Sequence, residues 1–227
     1  MAACSSELLA AMMKLIVPLF AALLAGAVQA APAAGPATDA AAPKDPTPRL
    51  AYGFLMKHGD KLVFAPCRER SYALVEDVSA DRQVTRGLDM VGVADGRKYY
   101  VELLAVVDGN SLRASELNLV HAEGRCQKPG GPDEAWLARG NEPAWALSAG
   151  GDTVTLQRQD GPSVSVPYRV FERQEAVARF RGDGPDGALE VRFERQLCRD
   201  TMADAVFGWT ATVRAGAQTL KGCALVR

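Results

Sequence analysis

The residues that could do chemistry gather in two short stretches of the C-terminal half. Cys198-Arg-Asp-Thr-Met-Ala-Asp204 puts a cysteine, two acids and a methionine in one run, and Gly222-Cys223 adds a second sulfur near the end. Gly140-Asn-Glu-Pro-Ala-Trp145 supplies an amide, an acid and an indole on a turn-forming sequence. A metal would have to draw Asp200, Asp204, Glu142 and Met202 together. Carboxylates with a thioether mix hard and soft ligands and suit no common metal, so neither a metal nor a cofactor is expected. Glycoside hydrolysis would need Glu142 and an acid of the Cys198 segment, such as Asp200, flanking a scissile bond. In a binding role, Asn141 and Glu142 read a ligand at the rim of a pocket floored by Trp145, with Asp200, Met202 and Asp204 beside them.

Simpler roles exist for the same residues. Gly140 and Asn141 tolerate positive φ, Pro143 fixes the next bend, and Trp145 can plug one end of a barrel. In the other stretch, Asp200 and Asp204 would bind local backbone N–H groups while Met202 fills a gap under Trp209. The two histidines are His58, in an expected turn, and His121, near a strand end. Neither lies in a His-Glu-x-x-His, Gly-x-Ser-x-Gly or Ser-x-x-Lys pattern. The expectation is a protein that binds without catalysing.

Composition sets the context of those residues. In 227 residues, 48% hydrophobic and 23% charged, there is room for one large or two small globular domains. Acids and bases are interspersed to a formal charge of −1, so neither nucleic acid nor an anionic membrane surface is an expected partner. Residues 1–30 read as a signal peptide: Lys14, then an apolar run over 15–27, then small residues ending at Ala30, after which cleavage is expected. The run is shorter than the roughly 20 residues a spanning helix needs. Met13 serves as a start as well as Met1. No cysteine follows the run to carry a lipid, so the mature chain is expected in the periplasm or secreted, without a stable membrane anchor. Cys4 leaves with the signal, and Cys67, Cys126, Cys198 and Cys223 enter a compartment where disulfides persist.

The elements that must position these residues read as strands. Residues 31–49 read as a flexible Ala/Pro-rich linker. Over 50–127, the segments 61–67, 71–75 and 97–107 are rich in β-branched and aromatic residues, while 80–90 suits a short helix with Val84, Leu88 and Val91 at helical spacing. A last strand carries Leu117, Leu119 and His121 on one side. Pro and Gly mark an exposed linker at 128–135. Over 136–227, apolar residues alternate with polar ones: Val154 and Leu156; Val164, Val166, Tyr168 and Val170; Leu189, Val191 and Phe193; Trp209, Ala211 and Val213. Turns at Asp160-Gly161, 182–187 and Ala215-Gly216 make this a C-terminal β-barrel or sandwich of about seven strands. Pro167 marks an edge or a bulge. Of the three possible cysteine pairings, this plan favours Cys67–Cys126 and Cys198–Cys223.

Two resemblances follow from these residues. The order of Tyr52-Gly-Phe54, Phe64-x-x-Cys67, Tyr72, a Leu-containing helical stretch, a long apolar strand and Cys126 resembles the C-terminal OB-fold domain of NlpE-type outer-membrane lipoproteins. It implies an OB-like barrel over 50–127. This chain lacks the lipid-bearing cysteine and the Cys-x-x-Cys of those proteins, so copper handling is not implied. Gly140 to Trp145, with Cys198-x-Asp200-x-Met202-Ala-Asp204 and Gly222-Cys223, resembles a family of bacterial envelope proteins of unknown function. Ala144 stands where that family has an aromatic residue, and Ala203 where it has serine. The resemblance implies a C-terminal β domain and an envelope location, and no activity.

The expected fold is all-β, with two small antiparallel β-barrel-like domains, the first OB-like, each with one disulfide. The expected function is a non-catalytic exported envelope protein, a binding or interaction module of the periplasm. Its partner would be an envelope protein or a cell-wall or lipid fragment. The alternatives are a hydrolase acting on envelope glycans through paired carboxylates, and a protein inhibitor of a wall-degrading enzyme.

Overall fold

The computed structural model describes residues 47–131, 133–184 and 187–227. The signal expected at 1–30, and the linker expected at 31–49 as far as residue 46, lie outside the described residues. Strands β1 (Arg49–His58), β2 (Lys61–Pro66) and β3 (Ala73–Asp77) form a meander, helix α1 (Gln83–Val91) follows, and β4 (Lys98–Asp108) and β5 (Ser111–His121) form a long hairpin. β1 pairs with both β2 and β4, and β3 lies parallel to β5, so the order β1-β2-β3-β5-β4 closes on itself. This is an OB-like barrel with its helix between the third and fourth strands. Val84 and Leu88 do share the buried face of α1, packed with Leu55, Val101 and Leu112 in the barrel interior. The first turn of α1 is held from outside: Asp77 accepts the Thr85 N–H at 2.8 Å, and Ser79 Oγ accepts the Val84 N–H at 3.1 Å. Those contacts satisfy donors that a helix start leaves unpaired.

The sequence places Leu117, Leu119 and His121 on one side of β5, and the structure corrects this. Two irregularities in the β4–β5 ladder, at Ser115 and Asn118, break the alternation. Each bulged residue shifts the following side chain to the other face. Leu117 and Val120 therefore both point into the barrel. Glu116, Asn118 and Leu119 are turned towards the second half of the chain, where they meet Trp209, Val226 and Phe207.

That half contains β6 (Glu134–Asn141), β7 (Ala144–Gly150), β8 (Thr153–Arg158), β9 (Gly161–Pro167), β10 (Glu172–Gln174), β11 (Val177–Gly184), β12 (Gly187–Glu194), β13 (Cys198–Asp200), β14 (Ala205–Phe207), β15 (Trp209–Ala215) and β16 (Gln218–Val226). All but β13 and β14 join a 9-stranded antiparallel half-barrel, in the order β10-β11-β12-β15-β16-β6-β7-β8-β9. Its inner face buries Leu147, Val154, Leu156 and Val191 around an aromatic stack. Trp136 lies on Phe193 at 4.6 Å, Phe193 on Phe171 at 5.4 Å, and Trp209 meets Trp136 edge-on at 5.1 Å. Burying one such large side chain contributes about 1.5–3 kcal/mol. Pro167 ends the edge strand β9, where its missing N–H costs no ladder bond. The expected continuation through Val170 fails there: Val170 is 82% exposed and Phe171 turns inward instead.

The chain at 198–207 returns to the first sheet. β14 pairs with β5 and β13 with β14, extending that sheet to 7 strands in the order β13-β14-β5-β3-β2-β1-β4. Gly208 is the crossing point between sheets. Its N–H donates to the Asn118 carbonyl at 3.0 Å, and a Cβ there would collide with the Leu117 carbonyl. Cys67–Cys126 ties the end of β2 to the chain beyond β5, and Cys198–Cys223 joins β13 to β16, one sheet to the other. The fold is thus all-β with two barrel-like bodies and both expected bridges. The linear plan does not contain the return of a hairpin across the 128–135 linker.

Candidate functional site

Between the sheets lie three carboxylates of the first sheet, each met by arginine from the second half. Glu102 on β4 is 2% exposed; Arg227 Nη1 donates to its two oxygens at 3.0 and 2.9 Å, and Asn118 Nδ2 donates at 2.8 Å. Asn118, freed from the ladder by its bulge, also exchanges two 2.8 Å hydrogen bonds with the Val226 backbone. Its side chain stands in for a missing strand partner. The Tyr100 hydroxyl donates to Glu102 at 3.1 Å, and burial, reinforced by the Glu102 charge, pushes the phenol well above its ordinary pKa. It is therefore a permanent donor.

Glu116 on β5 accepts the Trp209 indole N–H at 2.7 Å, with Arg195 Nε 3.4 Å and Arg173 Nη2 3.9 Å from its other oxygen. Both guanidinium groups also lie over the Trp209 ring, at 5.3 and 5.1 Å. Asp200 on β13 is the third carboxylate, 3.2 Å from Arg139 Nε. Burying a lone carboxylate is costly, so these pairings are conditions for the sheets to close on each other.

The two motifs singled out in the sequence meet at Asp200. Asn141 Nδ2 donates to Asp200 Oδ1 at 2.9 Å, and the same oxygen accepts the backbone N–H groups of Met202 and Ala203 at 3.1 and 3.2 Å. Trp145 is buried, and its indole N–H donates to the Lys221 carbonyl at 3.2 Å. Gly140 and Gly222 line its slot, where a Cβ on either would run into the indole. Gly140 thus admits the indole, while at Gly222 a Cβ would meet the Arg139 carbonyl first. The other candidates do not converge. Glu142 is exposed on the turn between β6 and β7. Met202 is 80% exposed on the β13–β14 turn and does not lie under Trp209, whose surroundings are taken by Trp136 and the two arginines. Asp204 turns its carboxylate to Arg199, 3.7 Å away, in place of local N–H groups. Among the described residues, no three His, Cys, Asp or Glu side chains are grouped to hold a metal ion.

Beside this latch lies a pocket of about 300 Å³ that sequence reasoning missed. Leu119 and Phe207 of the first sheet and Leu137 and Leu225 of the second line it, together with Ala146, Ser148 and Gln157. Arg139, 4.9 Å above the Phe207 ring and paired with Asp200, joins the pocket to the latch. The sequence does carry a signal for it. Trp136-Leu137, Val206-Phe207 and Ala224-Leu225 are consecutive apolar residues that cannot all face one core in a strand. One of each pair lines the inner core, and the other covers the seam between the sheets.

No protein-family model matches the chain, and neither curated proteins nor solved structures give a match.

Proposed function

We propose that this chain is a non-catalytic exported envelope protein that binds, in the periplasm, the apolar part of a cell-wall or lipid fragment in the pocket between its sheets. The pocket is the observation that carries this reading. Small-molecule sites are concave and mostly apolar with a few polar groups at the rim, and Leu119, Leu137, Phe207 and Leu225 with Ser148 and Gln157 make such a set. The clasped carboxylates on either side hold its walls at fixed spacing before any ligand arrives. Asp200 supports binding over hydrolysis, since Asn141, Arg139 and two backbone N–H groups already occupy its oxygens. Both disulfides suit an oxidising compartment. The resemblance carried by Gly140 to Trp145 and Cys198 to Asp204 favours the envelope.

The test is native mass spectrometry of the purified protein after incubation with an extract of envelope lipids and soluble wall fragments. A stoichiometric adduct is expected, and Ala146→Trp, which fills the pocket, should remove it. Folded wild-type protein recovered bare from such extracts would end the reading.

A further inference from the structure

The apolar pocket does not stand alone. Leu119, His121 and Arg227 also wall a second recess, about 460 Å³, which opens over Tyr100, Glu102 and the loop that follows β5. The two recesses differ in chemistry. The first is walled by leucine and phenylalanine. The second carries Arg125 and Lys128, both exposed and in no ion pair among the described residues, against the one free carboxylate of Glu123. The other acid there, Glu102, is already neutralised by Arg227. His121 stands on the shared wall. Its Nδ1 accepts the Glu123 backbone N–H at 3.0 Å, so the neutral ring carries its proton on Nε2 as a donor.

A molecule lying across that wall meets apolar surface at one end and, at the other, two cations opposed by a single free carboxylate. We infer that the site takes a monomeric single-chain amphiphile with an anionic head, a carboxylate or a phosphate monoester. Its chain lies against Leu137, Phe207 and Leu225, and its head lies by Arg125, Lys128 and His121 Nε2. This rests on the binding reading above and adds to it the charge and shape of the ligand. The arrangement favours a single molecule over a bilayer surface. The chain pocket is a cleft between two sheets, and among the described residues the exposed large apolar side chains, Tyr72, Leu74, Val78, Val107, Val170 and Met202, line neither recess.

Titration calorimetry with octanoate, 1-octanol and acetate separates the parts. Octanoate should bind one per protein, 1-octanol about fivefold more weakly, the size of effect exposed ion pairs give, and acetate not measurably. Arg125→Glu with Lys128→Glu should bring octanoate down to the level of 1-octanol and leave 1-octanol unchanged. Ala146→Trp and Ser148→Trp, both at exposed positions, should each abolish binding of the two chains. If octanoate and 1-octanol bind alike, or the charge reversal moves neither, the anionic head is wrong while pocket binding stands. Octanoate binding that survives both tryptophan variants places the ligand elsewhere and overturns the inference. So does sedimentation with intact anionic vesicles in the absence of octanoate binding. Failure of every chain to bind also overturns it, and the adduct experiment then decides the broader reading by itself.

Discussion

At the end of β3 the carboxylate of Asp77 collects four donors: the backbone N–H and hydroxyl of Ser79, and the backbone N–H and hydroxyl of Thr85, the latter two at 2.8 and 2.6 Å. Burial alone would raise its pKa. The hydrogen bonds from Ser79 and Thr85 outweigh that and hold the acid below its ordinary value. A carboxyl depressed in the folded state stabilises fully above its unfolded pKa, about 4, and loses that contribution as pH falls through the folded value. Asp77→Asn should therefore cost about 1 kcal/mol near neutral pH, the usual worth of a helix cap. The gap to wild type should close below about pH 4. Urea denaturation at a series of pH values checks this; a gap of the same size at acid and neutral pH would show that the charge on Asp77 is irrelevant.

Among the elements, the β13–β14 hairpin is the one whose place needs explaining. Its strands are three residues each, too short to persist alone. Pairing with β5, the Asp200 latch and the Cys198–Cys223 bridge hold it. The bridge closes a loop of sequence separation 25, for which chain entropy gives roughly 3.5 kcal/mol. Replacing Cys198 and Cys223 by alanine should lower the melting temperature and loosen the hairpin, seen as faster amide exchange at Ala205–Phe207. Unchanged exchange there would mean that β5 pairing alone suffices. How much of this was legible follows from exposure. Strands β8, β9, β12 and β15 face solvent on one side, so alternation announced Val154, Val164, Val191 and Val213 as core. Strands β5, β6, β14 and β16 are covered on both sides, so their alternation is blurred and the pocket they build stayed hidden. The motifs at Gly140 and Cys198 were visible as residue types. Their meeting at Asp200 depends on a hairpin whose strands are too short to leave a periodic pattern.

For the molecule as a whole, the decisive fact is that the first sheet is not complete without strands from the second half of the chain. The first sheet takes β13 and β14 from beyond the linker, and its Glu102, Glu116 and Asp200 find their cations only on the second half. Separating the sheets would leave three buried carboxylates facing an apolar seam or water, and breaking even one buried pair on one side typically costs about 3–5 kcal/mol. Gln83 adds a neutral tie: its side chain accepts the Leu117 N–H at 3.0 Å and donates to the Gly208 carbonyl at 3.4 Å, at the crossing point itself. Independent unfolding of two domains is then unfavourable at every stage. Calorimetry of residues 31–227 should show a single transition, with calorimetric and van't Hoff enthalpies equal. Residues 47–131 expressed alone should show no cooperative transition, because Leu119 and Val120 lose the cover of Val206 and Phe207. Two resolved transitions, or a cooperatively folding N-terminal fragment, would demote the carboxylate–arginine clasps from a condition of folding to decoration on two self-sufficient barrels.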